Sequence, residues 1–500
     1  MTSDGASAGS PASGLKRDLG LVGLAATGIC SMLGAAINVV PFVLQRNVPG
    51  IGPHVLPAYL LAALPALLAA LAYAILASAM PRAGGSYVYA SRSLSPYLGF
   101  VASFSQWFGL SIAIGVVSYV LVPFLRDIAV ALGHDAVAGA LDTGWVRVTI
   151  ALGFLWTFVG VNLRGLKLYE RTLVPMMFLM FALGSIVIVA GFSFDQAEFA
   201  GALATTGETV PRLQPPPLEA TTLLAAAAVL FSSFIGFDSI AQAGGEARDP
   251  GRSLPLAIGI AVVTVGGFYL LFTAAVYHAV PWEFVAAEAA VRDVTAPGLL
   301  GYLLSPGWTV AIVAGAAVAL INDLPAMLLA VSRLMFAWAE DGVFPRRVAL
   351  VHRRWRTPYV AIVASGAMAT VGILGSHLAG DFFLGVDILV TSMLVNFLLM
   401  CLSVLWLPRR NPSLAREVKV VRSRRLQLPL AAAGALALTG FLVIHVAKDL
   451  SATVDAWYLH STFVWLGVMT VASLVYLREV RALRRAGVDV EARFARLPPE

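Results

Sequence analysis

Charge is scarce in this chain, and sulfur is scarcer. Of 500 residues only 12% are Asp, Glu, Lys or Arg, against 59% hydrophobic. That balance excludes an ordinary soluble domain, in which about a quarter of the residues carry charge. The two cysteines, Cys30 and Cys401, both fall inside apolar stretches. A disulfide framework is thereby excluded, and both read as small buried residues. His278, His377, His445 and His460 stand near the ends of apolar stretches and show no metal-ligand spacing. Neither a nucleophile elbow nor a phosphate-binding loop occurs in the apolar segments or their connections, so a serine hydrolase and an ATP-driven pump both lack the motif they need. No enzymatic centre, metal or cofactor is expected.

What the chain has is long apolar runs, with a mean hydropathy of +0.83. A bilayer core of about 30 Å takes roughly 20 apolar residues per helix. Twelve segments meet that length: 20–44, 55–80, 97–125, 145–162, 171–192, 218–244, 254–281, 306–338, 358–378, 383–407, 429–447 and 457–478. The expected organisation is a disordered tail over 1–19, a core over 20–407, a basic loop over 408–428, two further helices within 429–479 and a tail over 480–500. The first nineteen residues lack the short apolar core and cleavage site of a secretory signal, so the first segment reads as retained. The chain is therefore an all-α polytopic protein whose solvent is the lipid bilayer.

Placing the N-terminus in the cytoplasm and alternating the connections puts nearly all of the 34 Lys and Arg inside. Only Arg46, Arg126, Arg147, Arg212, Arg292 and Lys448 fall outside. The dense clusters "PRRVALVHRRWR" (345–356) and "RSRRL" (422–426) land inside, as the positive-inside rule expects. Both termini are then cytoplasmic, in a cell (inner) membrane. The basic balance reflects topology and anionic lipid rather than nucleic acid.

Two segments carry small residues near their middles: "TGICSMLGAAIN" (27–38) and "FSSFIGFDS" (231–239), five helices apart. Small residues inside a membrane helix allow close packing. They also mark broken helices, whose free N–H and C=O groups are tolerated only around a cavity. Interrupted segments at matching places in two halves point to a transporter site.

At three places the residues resemble the amino acid–polyamine–organocation permeases. "YAILASAMPRAGGSYVYASRSLSPYLGF" (73–100) is similar to that family's second helix and following loop. "FIGFDSIAQAGGEARDPGRSLPLAI" (234–258) is similar to its sixth helix and onward loop, and "SRLMFAWAEDGVFP" (332–345) to the end of its eighth. The resemblance implies a LeuT-like fold of two five-helix inverted repeats, with helices 11 and 12 peripheral. It also implies alternating access around a site between helices 1 and 6. Carried over, the helix-1 break is Gly34, Ala35 and Ala36, whose backbone N–H groups would receive a substrate carboxylate. The carbonyls of Met32, Ser232 and Ile235 would face the substrate amine, and Gly236 would permit the unwinding. Phe231 and Phe234 are candidates for an aromatic gate, with core packing as the alternative. Glu246, Arg248, Asp249 and Arg252 can pair with one another, in an inner gate or in a plain solvated loop.

The chain departs from the family pattern in ways that bear on chemistry. Gly34-Ala35-Ala36 replaces a usual Gly-Ser-Gly or Gly-Thr-Gly, which makes the pocket floor tighter and drier. Asn38 replaces an aromatic and serves either as a polar contact or in packing. Ile75 stands where the family often has Glu, and "TLVPMMFLMF" (172–181) lacks the helix-5 lysine of some relatives. The ionisable group must lie elsewhere.

Two buried carboxylates are candidates. Asp238 follows the helix-6 break and can cap the second half-helix; proton sensing is its alternative role. Asp323 and Asn322 stand in "ALINDLPAMLLAVSR" (319–333), where Pro325 cannot donate to the carbonyl of Ile321. The family's geometry faces this stretch to the helix-1 break, where carbonyls of Cys30 and Leu33 are to hand. A proton is favoured over sodium there, since no hydroxyl cluster accompanies Asp323. A proline kink with Asp323 bonded to a neighbouring helix is the structural alternative. The expected function is a secondary, proton-coupled symporter of an amino acid or small amine. A polyamine or organic-cation carrier, an exchanger and a membrane sensor stay open.

Overall fold

The structure is a computed structural model that describes residue 15 and residues 17–498, except 293, 380–382 and 455. Most of the expected disordered tail, residues 1–14 and 16, lies outside the described residues. Among the described residues twelve helices are long and apolar enough to cross a membrane. They are α1 (Leu21–Asn47), α2 (Val55–Ala79), α3 (Pro96–Ala131), α4 (Gly144–Leu163), α5 (Leu166–Ser193) and α6 (Ala220–Gln242). Then follow α7 (Pro250–Ala279), α8 (Pro306–Asp341), α9 (Tyr359–Ala379), α10 (Phe383–Arg410), α11 (Arg424–Ser451) and α12 (Ser461–Arg485). Each falls on one of the twelve apolar segments read from the sequence.

Burial sorts the twelve into centre and rim. Helices α3 and α8 run 36 residues each, about 54 Å at the α-helical rise, well beyond the hydrocarbon thickness. Both are 83% buried over their apolar windows and pack side by side at the centre. Helices α11 and α12 are only 28% and 22% buried and lie at the periphery. Phe178 of α5, Val189 of α5, Leu436 of α11 and Leu474 of α12 are exposed, as a lipid-facing surface requires.

Local chemistry marks where helices stop or bend. Pro408 has no N–H to give the carbonyl of Val404, and Arg424 supplies the missing donor at 2.8 Å, with a second bond to Leu405. Gly84 sits at φ +77°, in the left-handed region that glycine favours, and starts a buried helix over Gly85–Ser93. The connections also fold: short helices span Asp135–Asp142, Gln196–Thr205 and Trp282–Val291. None of these was expected from the run of apolar residues.

Candidate functional site

Helix α1 is broken in the middle. Its first half ends at Met32, Leu33 and Gly34 leave helical geometry (φ −89°, ψ 70° and φ −120°, ψ −128°), and the second half begins at Ala35. Gly34 is glycine for steric reasons, because a Cβ there would overlap the Asp323 carboxylate. Helix α6 is broken too. A 3-10 turn over Phe231–Phe234 gives way to extended Ile235 and to Gly236 at φ +137°, and helix resumes at Asp238. A Cβ at Gly236 would collide with the Ser31 carbonyl, so the two breaks stand against each other.

Between them lies a cavity of about 110 Å³, whose lining includes Ser31, Met32, Gly34, Ser232, Ile235 and Asp323. The rest of the lining is apolar, most of it from α3 and α10, with Val39 and Val40 of α1 and Met327 of α8. A second cavity, about 320 Å³, adjoins it; Val40, Ser232, Phe383 and Val386 line both. This outer chamber is polar, with Asn47, Asp387, His445, Lys448 and Asp449 in its walls. Phe383 stands at the join, with the Arg46 guanidinium 5.7 Å from its ring centroid.

Asp323 is 4% exposed, and its Oδ1 finds no hydrogen-bond partner among the described residues. Asn322 beside it donates to the Cys30 sulfur at 2.9 Å, leaving its own Oδ1 without a partner. The Met32 carbonyl accepts from Tyr269 Oη at 2.5 Å, and the Ser232 carbonyl from the Ile235 N–H at 3.2 Å. Each of these carbonyls keeps one further lone pair.

Several expected positions fall elsewhere. Phe231 packs edge-on against Phe397 and Phe441, and Phe234 against Tyr59 and Tyr269; neither ring lines the cavity. Packing explains both, and the aromatic at the mouth is Phe383, which the sequence reading passed over. Asn38 and Leu33 turn away from the cavity toward α5, α7 and α8. The cap expected of Asp238 is not the bond it makes. No side chain caps that half-helix; Asp238 Oδ1 instead reaches back to the Gly236 N–H at 3.1 Å, inside the break.

The other Asp238 oxygen accepts from Gln106 Nε2. Gln106 is held in that orientation because its Oε1 accepts from Ser86 at 2.5 Å, Asn396 at 2.7 Å and Gln242 at 3.1 Å. Tyr73 completes the network by donating to Asn396 at 2.6 Å. Five separate elements thus join in one buried network.

The face opposite the outer chamber is closed by ion pairs. Glu246 pairs with Arg333 of α8 through two bonds of 2.6 and 3.0 Å, not with its loop neighbours as expected. Arg92 pairs with Asp341 in the same forked manner, at 2.6 and 3.1 Å. Leu19 runs alongside the same loop, bonded to Glu246 and Arg248. A helix over Val490–Phe494 covers the Arg92 pair: Phe494 lies 4.7 Å from the guanidinium, and Arg92 Nε donates to the Arg496 carbonyl at 3.1 Å.

The family model described as amino acid permease matches residues 19–471. A low-affinity putrescine importer of Escherichia coli is 26% identical over 69% of this chain and 70% of its own length. A branched-chain amino acid permease of Bacillus subtilis is 28% identical, covering 81% and 84% respectively. Cationic amino acid transporter 4 of Homo sapiens is 25% identical over 71% of this chain and 54% of its own length.

Proposed function

The chain belongs to the amino acid permease family, and from that premise we propose that it carries an amino acid or closely related small amine across the membrane by alternating access. The observation that supports this most is the pair of broken helices facing each other across a cavity. Backbone N–H donors at the start of the second half of α1, at Ala35 and Ala36, suit a carboxylate. The carbonyls of Met32, Ser232 and Ile235 suit an ammonium. Asp323, buried at the same break, is the group that takes up the coupling proton; Asn322 and the backbone carbonyls of Cys30 and Leu33 are its supporting groups. Charge placement supports an extracellular position for the outer chamber and a cytoplasmic one for both termini, in a cell membrane.

Uptake of labelled amino acids and amines into proteoliposomes tests the reading. A free carboxylate should matter: losing one charge-assisted hydrogen bond costs about 1.5–3 kcal/mol, roughly 10–150-fold in affinity. Amidated or decarboxylated analogues should compete that much more weakly. Equal competition by the matching amine turns the reading to an amine carrier, which the Asp323 carboxylate also suits. Absence of uptake for every amino acid and amine removes both.

A further inference from the structure

The cavity at the two breaks has two kinds of wall. One is made of backbone and small polar groups, with the Asp323 carboxylate packed against it at Gly34. The other is hydrocarbon. Ala113, Val116, Val117 and Val120 recur at the spacing of one helical face on α3, and Val386 and Leu389 face in from α10. Among the described residues Asp323 is the one ionisable side chain in the lining.

We propose, resting on the permease reading above, that the α3–α10 wall is the side-chain subsite and selects amino acids with neutral, branched aliphatic side chains. Two features of the wall carry this. First, a cationic tail laid against it meets methyl groups and no acceptor, so its charge is stripped of water without a partner. Asp323 does not serve that tail, because it is packed on the helix-1 break, beside the atoms suited to the amino-acid head group. A diamine fits this cavity no better, since within its lining the second ammonium finds no second carboxylate. Second, valine and leucine methyls give a corrugated surface that branched hydrocarbon fills better than a straight chain.

The test uses the full-length protein in proteoliposomes, with labelled isoleucine, lysine and putrescine, and unlabelled valine, leucine and alanine as competitors. Isoleucine is expected to be taken up, with valine and leucine competing at least about 10-fold better than alanine, since a single methylene in a fitted pocket is worth roughly 10–200-fold. Val117→Ala and, separately, Val386→Ala should shrink the isoleucine-over-alanine preference by about 10-fold. That ratio is independent of how much variant folds. Uptake of lysine or putrescine with isoleucine excluded overturns the inference and leaves the permease reading intact. A preference unchanged in both variants also overturns it. No uptake of any of these solutes by folded protein overturns both.

Discussion

Single residues decide whether the two breaks can face each other. Gly236 at φ +137° stands against the Ser31 carbonyl, so any side chain there meets both backbone strain and a collision. Gly236→Ala should lower thermal stability in detergent by about 1–3 kcal/mol or more, and a melting temperature equal to wild type would show the contact is slack. Asp323→Asn tests the proposed coupling role. Under an imposed proton gradient the variant should no longer concentrate substrate, while exchange across equilibrated membranes continues. If it concentrates substrate with wild-type dependence on the gradient, Asp323 is not the coupling group. At this scale the sequence was partly legible. A carboxylate or a glycine in an apolar run is conspicuous by itself, and so Gly34, Gly236, Asp238 and Asp323 stand out. Aromatics do not: Phe231, Phe234 and Phe383 look alike along the chain, and which one borders the cavity depends on helices distant in sequence.

Whole elements were the easiest features to read, because the bilayer imposes a minimum length on every span. The buried Gly85–Ser93 helix and the short connecting helices escaped because nothing sets their length. Gln196–Thr205 did carry a local signal, since Asp195 and Glu198 form a capping box at its start. The Gln106 network was not legible at all, its partners standing 20, 132, 136 and 290 residues away. Its energetics are nonetheless testable. Gln106→Leu removes the acceptor of three buried donors and one donor to Asp238, each orphan costing about 1–3 kcal/mol. Adding Asp238→Leu should then cost less than the same change in wild type, because its partner is already gone. Additive losses in melting temperature would mean the two side chains are not coupled.

Across the whole molecule, one face is open through a polar chamber and the other is held shut by Glu246–Arg333, Arg92–Asp341 and the helix packed beneath them. Phe494→Ala should loosen that shut face: protease should nick the segment around Val490 sooner, while the melting of the spans changes little. Equal protease resistance would show that the aromatic contact is not what holds the segment. The location of this cover has a further consequence, for biosynthesis. Arg493, which bonds the Glu340 carbonyl, is made 153 residues after it. At about 5–20 residues per second, that is roughly 8–30 s of translation. Throughout that interval the Arg92–Asp341 pair lacks the Val490–Phe494 cover that later packs on it.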